Sequence, residues 1–501
     1  MAGRIRRRAQ PARAGAAAVF NQNNPWWVVM PDITRYLQRI SFLLRQGRPV
    51  NDVAIYVPTD DAWASFSPGK VSIDQAMNGL FGPDLIRSIL EAGYNFDFID
   101  DTTIQQVGKV EQGSLSANTS RYRIIILPGV ERIPVATLRK LEDFARNGGT
   151  LIATRRRPSL APGLEGREEQ GRQIHTIVQA LFEGSSAPAH FVDDERQQLA
   201  TLLAKSLAPD VASSSPAPDI GFVHRSTPFA EIYFVANTDN QRVQTQAAFR
   251  VTEMEPEWWD PFTARVYRAG SVSHSKDSTS VALDLEPYES RVLVITHRPR
   301  PGSASAGIQA SPPEPLDLSG GWNVSFGEAA ASLPMDHLQA WTDNAETHFF
   351  SRQATYEKTV SIPAGALQKQ FETRLDFGSG TAVERTEQRG NGIRAWYEGP
   401  VREAAVVFVN GQRAGSVWHP PYTLDVTPFL HPGENTFRIV VANLAINQIA
   451  GRALPDYRLL NLRYGERFTL EDMKDIQPLP SGLLGTIRLI TEHAQKPMSL
   501  P

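Results

Sequence analysis

The sequence predicts a multidomain chain in which an α/β domain is followed by two all-β modules, and three observations carry that prediction. Between residues 48 and 185, short apolar runs alternate with helical patterns. Beyond residue 219 the runs become rich in β-branched and aromatic residues, with turn residues between them. Two Pro/Gly/Ser-rich stretches, 211–219 (VASSSPAPD) and 298–314 (RPRPGSASAGIQASPPE), read as linkers. A length of 501 residues fits about three domains at roughly 150 residues each.

The elements follow in order. Residues 1–18 carry Arg4, Arg6, Arg7, Arg8 and Arg13 with no acid, before a short alanine-rich patch. A secretory signal needs an apolar core of about 7–15 residues, which 15–19 do not supply; a basic nucleic-acid arm is a second reading. A disordered tail or a misplaced start is the favoured one. From 31 to 47, Ile33, Tyr36, Leu37, Ile40, Leu43 and Leu44 fall on one helical face, with Gly47 as the stop. The runs 53–57, 95–99, 124–127 and 150–154 are nearly all apolar, as strands covered on both faces require. Helices are expected over 84–92, 135–146, 172–182 and 194–207, the first two closed by glycine. Strands are then expected over 220–223, 231–235, 244–251, 263–267, 280–285 and 290–295, and a last β-rich module runs from Gly321 to Ile490. Within it Asn410-Gly411 is a two-residue hairpin signal, and His419-Pro420-Pro421-Tyr422 breaks the ladder, since proline brings no N–H.

Composition narrows the chemistry. Lys and Arg number 51 against 54 Asp and Glu, a formal net charge of −3, so no global positive field draws the chain to nucleic acid. The absence of cysteine removes disulfides, thiolate metal sites and cysteine nucleophiles. No stretch reaches the ~20 apolar residues of a membrane-spanning helix, so no membrane insertion is expected.

The stretch 409–443 (VNGQRAGSVWHPPYTLDVTPFLHPGENTFRIVVAN) resembles the galactose-binding-like jelly-roll β-sandwich of many glycoside hydrolases. Asn21-Gln22-Asn23-Asn24-Pro25-Trp26-Trp27 and the helix after it resemble the segment that leaves the catalytic barrel in glycoside hydrolase family 106, the α-L-rhamnosidases. The pieces IGFVHR, IYFVAN, WWDPFT, SGGWNVSF, AWTD, ATYEKTV, NQIAGRALPD and SGLLGTIRL fit the same family in the same order, over about residues 19–490.

The resemblance implies inverting hydrolysis of terminal α-L-rhamnosyl bonds by two carboxylates, with calcium, in a (β/α)₈ barrel upstream of Asn21. A barrel takes about 250 residues, and the family positions of acid and base fall before residue 1, so no catalytic residue is transferred and the chain is expected to be a C-terminal portion. It implies rhamnose-containing glycosides or polysaccharides as partners, calcium in the complete enzyme, and a secreted or periplasmic setting, although this chain shows no signal peptide. The expected parts are a basic tail (1–18), a barrel remnant with its last helix (19–47), an amidotransferase-like, flavodoxin-like α/β domain (48–210), a β-sandwich (219–298) and the jelly roll (315–492). Amidotransferases of that type use a cysteine, which is absent here, so the α/β domain is read as structural.

The acids Asp60-Asp61, Asp100-Asp101 and Asp193-Asp194-Glu195 sit at strand ends and helix starts, where capping is the plain expectation. Histidines, His224, His297, His419 and His431 among them, show no ligand spacing. For sugar, an indole face can stack on a pyranose while amides bind hydroxyls. That makes Asn24, Trp26 and Trp27 one candidate cluster and Trp418, His419, Tyr422, Asn443 and Asn447 a second, with packing as the alternative for both. Beside the hydrolase reading stand a non-catalytic carbohydrate-binding protein and a structural component.

Overall fold

The computed structural model describes residues 21–22, 24–164, 166–214, 218–297, 311–327, 332–385, 395–465 and 476–494. The arginine-rich start and most of the second linker lie outside the described residues. The chain divides into two compact units, one built on residues 38–303 and the other on 304–496 together with the segment up to Leu37.

The first unit contains a five-stranded parallel sheet in the order Phe96–Ile99, Val53–Tyr56, Ile124–Pro128, Thr150–Thr154, Ala189–Val192. Residue parity assigns each side chain to a face. Ala54, Tyr56, Ile125, Leu127, Leu151 and Ala153 pack against Leu138, Leu141, Phe144, Ile174 and Leu181 of the helices Val135–Arg146 and Arg167–Phe182. Val53, Ile55, Ile124, Ile126 and Ile152 pack on the other side against Leu85, Ile89, Leu199 and Leu203. Covering on both faces is why these strands read as unbroken apolar runs.

Several elements differ from expectation. Helix Arg167–Phe182 starts five residues before the expected position, because its first turn carries Glu168 and Glu169 and no apolar periodicity. Helices Thr59–Ser65 and Ile73–Phe81 were not expected; the second opens on a reciprocal capping box between Ser72 and Gln75. The 194–207 stretch is a π turn, Glu195–Leu199, followed by the helix Ala200–Ser206. The expected linker at 211–219 begins as a strand, Val211–Ser213, paired with Val243–Phe249.

In the same unit a six-stranded antiparallel sheet runs Arg48–Pro49, Ile220–Ser226, Ala230–Asn237, Ser290–Thr296, Glu255–Trp259, Val266–Arg268. It faces a four-stranded sheet of Val211–Ser213, Val243–Phe249, Thr279–Leu285 and Ser273–His274 across a core that includes Phe222, Tyr233, Phe249 and Leu283. The strand expected over 263–267 is instead Val266–Arg268, because Asp260 ties Phe262 and Thr263 into a turn. Strand Glu255–Trp259 was missed behind its Glu-Pro-Glu start. Helix residues Ile40 and Leu43 cover Ile232, Val292 and Val294 on the outer face of the six-stranded sheet. Gly47, at φ +55°, ends that helix where a Cβ would lie 1.9 Å from the Ser226 carbonyl oxygen.

The second unit packs a six-stranded antiparallel sheet (Leu333–His337, Gly320–Phe326, Gln353–Ile362, Gly433–Ala442, Ala404–Val409, Gln412–Val417) on a four-stranded one (Leu316–Asp317, Arg488–His493, Phe371–Asp376, Thr423–Asp425). Trp322, Trp341, Tyr356, Phe377 and Phe437 fill the core. Asn410 and Gly411 take φ +51° and +79° and join Val409 to Gln412, the two-residue hairpin that their sequence predicts.

Candidate functional site

In the second unit, the strand Ala404–Val409 positions the aromatic candidates. Ala405, Val407 and Val409 enter the sandwich core, while Ala404, Val406 and Phe408 take the opposite face. That outer face is covered by the segment from Pro25: Pro25–Val29 forms a 3₁₀ turn with proline at its start, and Trp26, Val28, Val29 and Ile33 pack there with Trp418. Tyr36 meets Trp418 edge-on with ring centres 6.1 Å apart, and His419 meets it at 4.6 Å. Arg438 lies over the Phe408 ring at 3.9 Å.

The segment is also fixed by charge. The Asp32 carboxylate accepts from the Ser416 hydroxyl at 2.7 Å and from the guanidinium groups of Arg413 and Arg35. Burial pushes this carboxyl up, but the bonds from Arg413, Ser416 and Arg35 outweigh it and hold the group below its ordinary range.

Residues from the two candidate clusters thus meet on one face: Trp26 from the first, Trp418 and His419 from the second. Trp27 is 36% exposed and is not part of that packed cluster. Asn24 precedes the turn in extended backbone without a side-chain cap. Tyr422 is half-buried at the edge of the sandwich core, its hydroxyl over Gly399, where a Cβ would lie 2.5 Å away. Burial, then the neighbouring Tyr397 and Glu403, push its phenol well above the usual tyrosine range. Burial also raises the Glu403 carboxyl, with Arg402 opposing.

Asn443 and Asn447 do not join this face. Both are buried. The Asn443 amide donates to the Phe350 carbonyl at 2.8 Å and accepts from the Arg352 N–H at 3.1 Å. The Asn447 amide donates to the Leu479 carbonyl at 2.9 Å and accepts from the Leu479 N–H at 3.0 Å. Both also donate to the Ser481 hydroxyl. These amides close loops; the satisfied bonds are what permits their burial. Asp32 and Tyr36, which join this face, carry no such signal in the sequence: Tyr36 reads only as one position of a helical periodicity, and nothing singles out Asp32.

The acids of the first unit form a separate group at the carboxyl ends of the parallel strands, where open α/β sheets bind ligands. Asp101 accepts from the Tyr56 hydroxyl at 2.9 and 3.1 Å and from Thr137. Burial raises the Asp60 carboxyl, and the charges of Asp101 and Asp61 raise it further. Asp61 is buried and accepts from the backbone N–H groups of Glu131 at 2.7 Å and Arg132 at 3.1 Å, and from the Arg132 guanidinium at 3.1 Å. Asp100 and Asp194 cap turns through Thr103 and Gln197, as expected. Asp61 and Glu195 depart from that expectation. Glu195 is buried against the Thr154 hydroxyl at 2.6 Å and Arg155 at 2.9 Å, so both acids are interior clamps. Among the described residues there is no group of three or more His, Cys, Asp or Glu that could hold a metal ion. No described helix is long and apolar enough to cross a membrane.

Comparison with known proteins supplies the family. The model of glycoside hydrolase family 106, alpha-L-rhamnosidase, matches residues 12–271. A solved rhamnosidase structure from Novosphingobium sp. PP1Y is 26% identical, with a TM-score of 0.68, over 95% of this chain and 42% of that one. A provisionally named beta-glucuronidase of Formosa agariphila is 26% identical over 306 residues, 60% of this chain and 24% of the relative. The chain therefore spans less than half of each of these proteins. With a family match over more than half of its length, the chain belongs to glycoside hydrolase family 106, the α-L-rhamnosidases.

Proposed function

We propose that the protein serves the hydrolysis of terminal α-L-rhamnosyl O-glycosidic bonds by an inverting, two-carboxylate mechanism, and that the described residues frame that reaction without supplying its acid and base. The family match carries this reading. Inversion needs two carboxyl groups roughly 6.5–9.5 Å apart across the scissile bond, one free to give a proton and one to activate water. Asp61, Asp101 and Glu195 are instead engaged by backbone amides, hydroxyls and guanidinium groups of their own unit. The parallel strands among the described residues form a five-stranded sheet, not the eight that close a barrel. On this reading the first unit holds an amidotransferase-like α/β domain and a β-sandwich, the second is a galactose-binding-like jelly roll, and the chain is the C-terminal portion of a larger enzyme that binds calcium elsewhere.

The test is recovery of the protein from its native host with an antibody raised against residues 311–494, followed by intact mass and assay on an aryl α-L-rhamnoside. A mass well above 55.4 kDa with rhamnosidase activity is expected. An active species of 55.4 kDa would overturn the reading.

A second reading, a carbohydrate-binding accessory protein, is favoured by one observation: Trp26 and Trp418 pack on the same face of the strand Ala404–Val409, and the residue after Trp26, Trp27, is exposed. Under it, rhamnose-containing glycosides bind the chain without being cleaved.

A further inference from the structure

A buried cluster in the first unit lies outside the acids and aromatics described above. His224, on the strand Ile220–Ser226, is 4% exposed. Its Nδ1 lies 2.7 Å from Asp210 Oδ2 and its Nε2 lies 2.9 Å from Glu231 Oε2. The ring stacks on Tyr233 at 3.8 Å, with the planes 19° apart. The Tyr233 hydroxyl donates to the other Asp210 oxygen at 3.0 Å, and the Ser226 hydroxyl to the other Glu231 oxygen at 2.9 Å. Arg250 is 4.0 Å from Asp210 and pairs with Asp52, just ahead of the strand Val53–Tyr56. Tyr94 lies close enough to feel both charges, its hydroxyl donating to the Leu207 carbonyl.

Chemistry fixes the state of the ring. An ionised carboxylate can only accept hydrogen bonds, whereas a neutral imidazole has one donor and one acceptor. With a carboxylate against each nitrogen, both bonds form only if both nitrogens carry a proton. Asp210 lies between the helix Ala200–Ser206, which packs on the parallel sheet, and the strand Val211–Ser213, which belongs to the sandwich; Glu231 and Tyr233 sit on the sandwich strand Ala230–Asn237.

We propose that His224 is a pH-operated clasp: as an imidazolium it ties the crossover at Asp210 to the sandwich strand carrying Glu231, and its deprotonation as the pH rises loosens the junction between the α/β layer and the sandwich. Burial alone would lower the ring's affinity for the proton, but the bonds it donates to Asp210 and Glu231 and the charges of those carboxylates outweigh it, so the ring titrates above the ordinary histidine value of 6.5. A group whose folded affinity for the proton is raised stabilises fully below its unfolded value, and that contribution is lost as the pH rises through the folded one.

The test follows the thermal unfolding midpoint of the 501-residue chain between pH 5.5 and 9.5, for the native sequence, His224→Gln and Glu231→Gln. The native midpoint is expected to fall on the alkaline side of pH 6.5, with His224→Gln much flatter over the same range. Glu231→Gln, which removes one of the two carboxylates, moves the fall to lower pH by about one unit or more. Equal slopes for the native chain and His224→Gln, or a fall unmoved by Glu231→Gln, would overturn the proposal. The Glu231→Gln comparison stands on its own should His224→Gln not fold.

Discussion

Replacing Asp61 by alanine tests directly whether the acids at the strand ends are clamps. The native carboxylate satisfies the N–H groups of Glu131 and Arg132 at 2.7 and 3.1 Å and one guanidinium nitrogen at 3.1 Å. Each donor left without a partner costs about 1–3 kcal/mol. Glu131 and Arg132 are half-buried, so water reaches part of the gap, and removing a buried charge returns some desolvation energy. Arg132 also keeps its pairing with Glu131. A net loss of about 2 kcal/mol is therefore expected, which is roughly thirty-fold in a local opening equilibrium. Hydrogen exchange read by mass spectrometry over a peptide spanning residues 128–134 should accelerate by that factor. Asp61→Asn should fall between, since its amide oxygen accepts one bond while its NH₂ opposes the other donor. Less than three-fold acceleration in Asp61→Ala would refute the clamp and return Asp61 to the pool of free acids.

Two further outcomes follow from the second unit. If the exposed indole stacks on sugar, Trp27→Ala should weaken calorimetric binding of a rhamnosyl glycoside by about two- to ten-fold without changing the unfolding midpoint, whereas Asn443→Ala should lower the midpoint and leave affinity alone; the reverse pattern would contradict the assignment of Asn443 to loop closure. Because the folded Asp32 carboxyl is held below its ordinary value of 3.8, its contribution is present above that pH and is lost as the pH falls through the folded value. Proteolysis within residues 25–37 should thus begin on acidification below about pH 4, and Arg413→Ala should bring that onset to higher pH; an unmoved onset would mean that the pair does not hold the segment.

What the sequence made legible was set by burial. The strands Val53–Tyr56 and Ile124–Pro128 are covered on both faces, so their apolar runs declare them, and Asn410-Gly411 declares its hairpin through backbone chemistry alone. Elements with a solvated first turn or a proline start, Arg167–Phe182 and Glu255–Trp259, lost part or all of that signal. At the candidate site, residue type picked out Trp26 and Trp418, but their meeting depends on which face of the strand Ala404–Val409 looks outward. Asn443 and Asn447 show the limit: an amide that closes a buried loop and one that faces a sugar read alike until their carbonyl partners are known. His224 reads as an ordinary packed histidine for the same reason, since Asp210 and Glu231 lie fourteen and seven residues away, and it takes strand register to bring Glu231, and the bend ahead of Val211 to bring Asp210, to one ring.

The proposal that the rhamnosidase acid and base are not among the described carboxylates of this family 106 chain is tested most directly by release of nitrophenol from 4-nitrophenyl α-L-rhamnopyranoside by the purified 501-residue chain, with calcium added. No release above the buffer blank is expected, and turnover that Asp60→Asn or Glu403→Gln abolishes would contradict it.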